Sequence, residues 1–457
     1  MRKWKWGILI GCIAVLTGWY FLFYKSYNRQ AISANADMVL AIDVKRNFNS
    51  LLFYYISTPS AWKFGSIFRT RTKDSLTDWK AAVKLPDYLF IFHVKDQPAK
   101  AWYCRLEVKN KAAFERLMSA YNFKQGPEKN GQSFFYADEL GIGIIKKEDQ
   151  LLIGTIGAND ASLLQAVMRD LFDKKNFMPV SVIEEIIRPA NHFTLYVQKN
   201  NFLKEDLICN GNFSNGQLKI ESLLRPADQY AFKEDSFDLA TGSLLNLAIA
   251  HPSPEVYWLL PGTVKAKLST AFGFNIDSLF TPDNRKYHLD IAGIKTRVDS
   301  AVSYVYDDDF NKVEKVVVNT VREPSFNFLV VGKRPELVVS YWIKNKNILK
   351  DESGKLFTPV PFVKTYVTIA QTDSLTVRSA NYTISPNLHR ISCIGYLDIR
   401  MSLLPTNAGA YLPDKIEKCI NKLDDLKLLV SQKQGLVKIN LTLTARNKKS
   451  PFLLSFN

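Results

Sequence analysis

The sequence predicts an α+β protein in which an N-terminal transmembrane helix precedes two related halves of mainly antiparallel sheet with packed helices. Three observations support this class. The 457 residues are 47% hydrophobic and 23% charged, which is typical of a folded globular chain. A 19-residue run near the N-terminus carries no charge. Beyond that run, short stretches alternate apolar and polar residues with the period of a strand, and a few amphipathic segments interrupt them.

The uncharged run, Trp6 to Tyr24, is long enough as a helix to cross the hydrocarbon core of a bilayer. Arg2, Lys3 and Lys5 precede it, and they outnumber Lys25 and Arg29 on the other side. The positive-inside rule therefore predicts a cytoplasmic N-terminus, with residues 1–30 as cytoplasmic tip and anchor and the bulk of the chain in the periplasm. The residues predicted to span the inner membrane include Trp6, Ile10, Leu16, Phe21 and Tyr24.

Two processing alternatives remain open for this segment. Ala34-Asn35-Ala36 has the small-residue form of a signal-peptidase site, but twelve residues separate Ala36 from the end of the run. Leu9 to Cys12 matches a lipoprotein box in letters, although most of the apolar run follows Cys12. Both patterns fit the run less well than an uncleaved anchor.

The charge balance indicates which partners are expected. The chain has a net charge of +16, and residues 1–36 contribute five basic and no acidic side chains, which leaves +11 for residues 37–457. A basic region outside the cytoplasm suits anionic lipid or another envelope protein better than nucleic acid. The expected partners are therefore the inner-membrane bilayer and one of these, and the basic surface alternatively serves solubility alone.

The first α+β half is predicted to cover residues 37–225. Its apolar alternation predicts nine strands and four helices. The strands are Met38–Val44, Tyr88–Lys95, Trp102–Val108, Gln132–Ala137, Leu140–Lys146, Gln150–Ile156, Phe193–Gln198, Leu207–Phe213 and Gln217–Leu224. The helices are Phe48–Ile56, Lys111–Tyr121, Asp160–Phe172 and Val182–Arg188.

A weak internal repeat predicts that the second half, residues 240–457, shares the topology of the first, with residues 226–239 as a polar joint. Three pairs of segments have matching patterns. They are Leu151–Leu171 with Phe326–Lys344, Ala36–Asn47 with Gly242–Pro254, and Tyr103–Leu117 with Ser303–Val316. The first pair predicts that the helices beginning near Asp160 and Pro335 are equivalent. A loop-rich passage, residues 345–361, is expected at the surface.

These features together resemble those of signal-anchored envelope proteins of gram-negative bacteria that are built from repeated α+β halves. The resemblance rests on the short basic N-terminus, the single uncharged run, the strand ADMVLAIDV at Ala36–Val44 and the strand–glycine–helix blocks. It covers most of the chain without a specific motif. It implies a location and an architecture, and it supplies no catalytic residues.

No residue pattern identifies a catalytic site or a cofactor. Ser60 and Lys63 have the S-x-x-K spacing of penicillin-binding enzymes, but the companion S-D-N and K-T-G elements are missing from the sequence. The five histidines are each at least 37 residues apart, so a metal cluster of histidines would depend on tertiary contacts. No cofactor is expected.

The densest acidic cluster, Asp307, Asp308 and Asp309, is a weak candidate for a hard cation, and helix capping or a turn explains it better. Cys104, Cys209, Cys393 and Cys419 contain no C-x-x-C pair and favour buried thiols over bridges.

The expected function is that of a membrane-anchored periplasmic binding or scaffold protein of the cell envelope. Such a protein binds a lipid-like ligand or an envelope partner, or it serves as a scaffold without a ligand, and a non-enzymatic role is favoured over catalysis. If an apolar groove binds the lipid, strand residues such as Phe90, Phe92, Trp102, Phe134 and Tyr136 are its candidate walls. The alternative is an envelope hydrolase or transferase whose site is assembled from distant residues.

Overall fold

The chain is an α+β protein of mostly antiparallel sheet with few helices. The structure is a computed structural model. It describes residues 24–57, 75–126, 128, 131–157, 160–230, 232–251, 262–272, 274–279, 284–306, 310–351, 354–359, 363–370, 373–404 and 420–456. The chain divides into two compact units, unit 1 (Met1–Asn200 with Glu205–Phe213) and unit 2 (Asn201–Lys204 with Ser214–Asn457).

The described part of unit 1 contains ten strands and five helices. The strands are β1 (Ala36–Asp43), β2 (Val83–Lys84), β3 (Tyr88–Val94), β4 (Trp102–Val108), β5 (Lys124–Gln125), β6 (Gln132–Ala137), β7 (Ile142–Lys147), β8 (Gln150–Gly154), β9 (Phe193–Val197) and β10 (Leu207–Ser214). The helices are α1 (Val44–Ser57), α2 (Ser75–Ala82), α3 (Lys111–Ala120), α4 (Ala161–Met168), which continues in a π-helical turn to Asp173, and α5 (Val180–Ile187). The nine strands and four helices predicted for the first half are all present, but the ninth strand, Gln217–Leu224, belongs to unit 2.

The strands of unit 1 form one antiparallel sheet in the order β10-β9-β1-β3-β4-β8-β7-β6-β5, and β2 also pairs with β4. Neighbouring residues of a strand point to opposite faces, so Leu151 and Leu152 lie in two different cores. Residues of α4 and α5 belong to one core, and residues of α3 belong to the other. Helices therefore cover both faces of the sheet.

In unit 2, the residues that the structure describes form thirteen strands and two helices. The strands are β11 (Gln217–Leu224), β12 (Asp235–Ala240), β13 (Leu245–Ala250), β14 (Asn284–Tyr306), β15 (Lys312–Gly332), β16 (Ile348–Asp351), β17 (Gly354–Phe357), β18 (Thr365–Ala370), β19 (Ser374–Ser379), β20 (Leu388–Cys393), β21 (Gly395–Arg400), β22 (Leu423–Lys433) and β23 (Leu436–Ala445). The helices are α6 (Gly262–Phe272) and α7 (Pro335–Lys344).

The sheet of unit 2 has the order β11-β23-β22-β21-β13-β14-β15-β19-β18-β17-β16, and all of its pairings are antiparallel. The strands β12 and β20 form a separate antiparallel pair. The last nine strands in this order, from β22 through β13 to β16, match the nine-strand order of unit 1 position for position. In that alignment β13 takes the place of β1, β14 that of β3, and β15 that of β4.

Local sequence explains the two helices that follow β4 and β15. The Asn110 side chain caps α3 by accepting a hydrogen bond from the Ala113 N–H at 3.0 Å. Pro335 occupies the first turn of α7, where its missing N–H has no cost, and Trp342 is buried on the inner face of that helix. Both helices thus begin directly after equivalent strands.

Two of the predicted segment matches are therefore wrong. The helix that begins at Pro335 follows β15 and is equivalent to α3, not to the helix that begins near Asp160. Ser303–Val316 lies in the β14–β15 hairpin and is not equivalent to β4. Strand–glycine–helix sequences occur in both places, and local pattern alone does not distinguish them. The predicted joint, residues 226–239, lies within unit 2. The strand that precedes it, β11, pairs with β23 of the same unit.

The β14–β15 hairpin is the largest difference between the two units. In unit 1, residues 95–101 connect β3 to β4, whereas in unit 2 the equivalent strands continue beyond the sheet as a two-stranded ribbon. We call residues 294–324 the ribbon arm. Its paired region, from Ile294 to Tyr306, is about 40 Å long at the usual rise of a strand.

Candidate functional site

A cavity of about 590 Å³ in unit 1 is the first candidate site. Residues 26–31, the β2–β3 turn, β4 and Gln150 of β8 line it. Its volume lies in the range of small-molecule sites. Two hydrogen bonds to Asp87 position the segment that follows the predicted membrane span, one from the Ser26 N–H at 2.8 Å and one from Ser26 Oγ at 3.2 Å. Tyr27 Oη also donates to Glu184 at 2.9 Å.

Arg105 provides the most informative group in this cavity. Its Nε donates to Gln150 Oε1 at 3.1 Å, and its Nη1 donates to the backbone carbonyl of Gln30. The guanidinium carbon lies 4.7 Å from the centre of the Phe172 ring. Partial burial lowers the pKa of Arg105, and the nearby Glu107 charge opposes this effect. Among the described residues, no carboxylate oxygen lies within ion-pair distance of Arg105.

The other charged side chains that line the cavity are already paired. Lys84 lies 3.2 Å from Glu107, and Lys45, outside the lining, lies 3.9 Å from Asp87. The lining therefore contains two cations, Lys84 and Arg105, and two anions, Asp87 and Glu107. Of the two cations, Arg105 has no acidic partner in the described part of the chain.

A buried polar network lies beside the cavity, at the start of α1. Asp43 is 1% exposed, and its Oδ1 caps the helix by accepting from the Arg46 N–H at 2.7 Å. Lys25 forms an ion pair with its other oxygen. Burial, followed by the charge of Asp43, raises the pKa of Tyr88 to about 12. This network connects the segment after the predicted span to the central strand β1.

His192 contacts Ser50 of α1, which is 142 residues away in sequence, and two adjacent residues of β10, Asn212 and Phe213. Its Nε2 lies 3.1 Å from the exposed Ser50 Oγ, and its Nδ1 lies 3.3 Å from both Asn212 Oδ1 and the Phe213 backbone nitrogen. Burial lowers the pKa of His192, so the ring is neutral at pH 7. Asn212 Nδ2 in turn donates to Asn191 Oδ1 at 2.7 Å.

A serine beside a neutral histidine is the arrangement that activates the nucleophile of many hydrolases. Ser50, however, is the seventh residue of α1, and helix hydrogen bonds occupy the backbone N–H groups around it. Such hydrolases stabilise the oxyanion with free donors next to the nucleophile. The geometry therefore favours a structural role, in which the hydrogen bonds of His192 link α1 to β10 at the start of β9.

The ribbon arm of unit 2 is the second candidate site. Residues opposite each other in the hairpin share a face, and one face carries Val298, Val302, Tyr304, Val316 and Val318. These five side chains are between 52 and 68% exposed. Within the part of the chain that the structure describes, residues 294–324 form strand pairs only with each other, so both edges of the ribbon have free backbone groups.

The base of the ribbon arm is fixed by side-chain contacts. Arg297 forms an ion pair with Glu323 at 3.3 Å, and Asn381 Nδ2 donates to Glu323 at 2.8 Å. Lys295 donates to the backbone carbonyl of Asn381. The arm therefore leaves the sheet in a defined direction.

Several sequence-predicted residues lie outside the described ranges. They are Trp6, Ile10, Leu16 and Phe21 of the predicted span, Cys12, Ser60, Lys63, Cys419, and the cation candidates Asp307, Asp308 and Asp309. Tyr24 is described and is exposed. Within the described residues, no helix combines the length and the apolar character needed to cross a bilayer, and no group of three potential metal-binding side chains is found.

The remaining predictions concern thiols and groove walls. Cys104, Cys209 and Cys393 are thiols that form no disulfide, and burial raises the pKa of Cys104 to about 12 and that of Cys393 to about 11. Phe92 is fully buried in the core of unit 1, and Phe90 is buried in the same core at the border of the cavity. Phe92 is therefore a packing residue and not a groove wall.

Sequence reasoning missed the two candidate sites. Arg105 was part of a predicted strand, but nothing in its neighbourhood indicated that its carboxylate partner would be absent. The valine-rich run from Val316 to Val318 was a detectable signal, because it has the β-branched residues of a strand without the polar alternation of a half-buried one.

Comparison with known proteins adds little to these observations. No protein-family model and no curated protein match the sequence. Three crystal forms of a protein designated TP0453 are similar to parts of the chain, with TM-scores of 0.29, 0.28 and 0.28 and identities of 11, 10 and 10%. The matches cover 44–45% of this chain and 78–83% of TP0453.

Proposed function

We propose that the protein is a membrane-tethered scaffold of the cell envelope, built from two copies of one α+β module, that associates through its ribbon arm. The observation that carries the proposal is the exposed apolar face of the arm. Exposed apolar strips on soluble proteins mark interaction surfaces. The shared nine-strand order supports a duplicated module, and the arm distinguishes the second copy from the first. The membrane tether is inferred from the uncharged run from Trp6 to Tyr24.

The chemistry of the arm favours a protein partner over lipid. Residues 294–324 contain five basic and six acidic side chains, so the arm has no excess of positive charge for an anionic surface. Its two open edges carry unpaired backbone groups, and such edges do not enter hydrocarbon. A partner that adds a strand satisfies these groups by hydrogen bonding and covers the apolar face.

A second copy of the chain fits the free edge of β15. If two β15 strands pair antiparallel with Val318 opposite its own symmetry mate, Val316 faces Thr320 and Glu314 faces Arg322. Glu314 and Arg322 are both exposed and lie on the same face as Val318. This symmetric register forms the same pair of opposite charges twice, as a two-fold interface requires.

Charge reversal in the full-length protein tests this interface. In detergent, the wild-type protein should sediment as a dimer, whereas Glu314→Arg and Arg322→Glu should each sediment as monomers. The double variant Glu314→Arg/Arg322→Glu restores opposite charges and should recover the dimer. Glu115→Arg, a reversal on the exposed side of α3, serves as control and should remain dimeric. Single variants that stay dimeric, or a wild-type monomer, would exclude the proposal.

A further inference from the structure

Among the residues that the structure describes, the Arg105 guanidinium has no ion-pair partner. It has five N–H donors, and the hydrogen bonds to Gln150 and Gln30 use two of them. Holding a cation partly away from water without an opposite charge is unfavourable. The contacts with Gln150 and the Phe172 ring keep the group in place despite this cost. The remaining donors are thus available at a cavity that Arg105 lines.

The cavity offers apolar and aromatic surface beside this cation. Tyr27, Leu85, Tyr88 and Leu106 contribute to its lining, together with the buried Phe90. A cavity whose lining combines this cation with apolar side chains suits an amphiphile that carries one acidic group. Asp87 accepts hydrogen bonds from Ser26, Glu107 pairs with Lys84, and neither carboxylate lies within ion-pair distance of Arg105, although the Glu107 charge acts on it from farther away.

The position of the cavity in the chain indicates where the amphiphile comes from. Residues 26–31 contribute to one wall, and Gln30 is only six positions after Tyr24, the last residue of the predicted span. Six residues reach at most about 20 Å. If the span crosses the membrane, as the proposed function assumes, the cavity lies within that distance of the lipid headgroups.

We propose that this cavity binds the phosphate group of an anionic phospholipid, with Arg105 as the residue that recognises it. A guanidinium presents two parallel N–H groups that match two phosphate oxygens, and lysine does not reproduce this geometry. The acyl chains would run along the apolar part of the wall. A free phosphate ion offers the same chemistry, so the experiment must separate the two sources.

The test measures thermal unfolding of the full-length protein in detergent with three probes. The probes are a short-chain phosphatidylglycerol, a monoacylglycerol of equal chain length, and inorganic phosphate. We expect phosphatidylglycerol to raise the unfolding midpoint by about 5 °C near saturation and monoacylglycerol to leave it unchanged. Stabilisation by phosphatidylglycerol alone identifies lipid as the source. Equal stabilisation by inorganic phosphate overturns the lipid assignment.

Arg105→Gln should weaken phosphatidylglycerol binding about tenfold or more, because it removes a charge-assisted hydrogen bond. Arg116→Gln removes the same charge from the exposed side of α3 and should bind like the wild type. If Arg105→Gln unfolds, Arg105→Lys keeps the charge but not the paired donors, and it should also bind more weakly. Unchanged affinity in the folded Arg105 variants overturns the proposal.

The result of the lipid-binding test is independent of the result of the sedimentation test on the ribbon arm. Sedimentation of the Glu314 and Arg322 variants depends on unit 2, whereas lipid binding here depends on residues of unit 1. Loss of one result with retention of the other therefore identifies which proposal has failed.

Discussion

At the scale of single residues, the stability of the folded protein is expected to depend on the protonation of the His192 ring. Its pKa in the folded protein is lowered by burial and by the positive charges of Arg46 and Lys25, whereas Asp43 and the contact with Asn212 oppose the shift. In the unfolded chain a histidine has a pKa of about 6.5. Below that pH the unfolded state binds a proton that the folded state does not. The stability contributed by neutral His192 is therefore complete above pH 6.5 and is lost as the pH falls.

We predict that the urea midpoint of the wild-type protein decreases between pH 7 and pH 5 and that His192→Gln has a smaller decrease. Burial also lowers the pKa of His288 in unit 2, so the contribution of His192 is the difference between the two proteins. Equal pH dependence in both would show that His192 does not titrate as the structure indicates.

Gly211 is a second residue whose substitution is expected to change the stability of the fold. It lies opposite Phe193 in the β9–β10 pair, and a Cβ added at Gly211 would be 2.0 Å from the Phe193 ring. That ring also packs against Phe213 at 5.6 Å. Gly211→Ala should therefore lower the free energy of unfolding by about 1–3 kcal/mol. Gly157→Ala meets no atom within 4 Å and is the control. Chemical denaturation of both variants measures the difference.

The residue scale also shows where prediction from sequence ends. The period-2 pattern placed Arg105 in β4 but could not identify the neighbours of its side chain. Gln30 and Gln150 are separated from it by 75 and 45 residues, and their approach is a product of the folded sheet. The same is true of Ser50 and His192, which are 142 residues apart.

At the scale of elements, the ribbon arm permits a precise test of register. If two β15 strands pair about Val318, the two copies of that residue face each other at the distance of a cross-strand pair. Val318→Cys should therefore form an intermolecular disulfide on mild oxidation, and Val316→Cys, which would face Thr320, should do so far less. Non-reducing electrophoresis measures the crosslinked fraction. Equal crosslinking at both positions would contradict the symmetric register.

Prediction was most accurate for elements with a strong local signal. The bounds of β4, β6 and β11 agree with the sequence-based expectation at both ends, because turn residues flank regular alternation. Residues 345–361, expected to be a loop, instead contain β16 and β17. These strands have only four residues each, too few for an alternation to stand out.

At the scale of the whole molecule, the predicted orientation is open to direct test. The positive charges before the uncharged run predict that the C-terminus is outside the cytoplasm. A reporter that is active only in the cytoplasm, fused after Asn457, should be silent, whereas a periplasmic reporter at the same position should be active. The opposite pattern would reverse the topology. Mature protein that begins at Asp37 would show cleavage after Ala36.

The position of β1 inside the sheet, between β9 and β3, affects how the protein can fold during synthesis. Leu40 pairs with Ile91 on one side and with Leu195 on the other, so the middle of the first sheet closes only when a segment about 155 residues downstream is available. Leu247 has the same relation to Leu289 and Leu397 in the second sheet. At ordinary rates of translation this delay is roughly 10 to 30 s. Each nascent sheet has an incomplete edge during that interval, and a chaperone that covers β-strand edges would be needed most at these two stages.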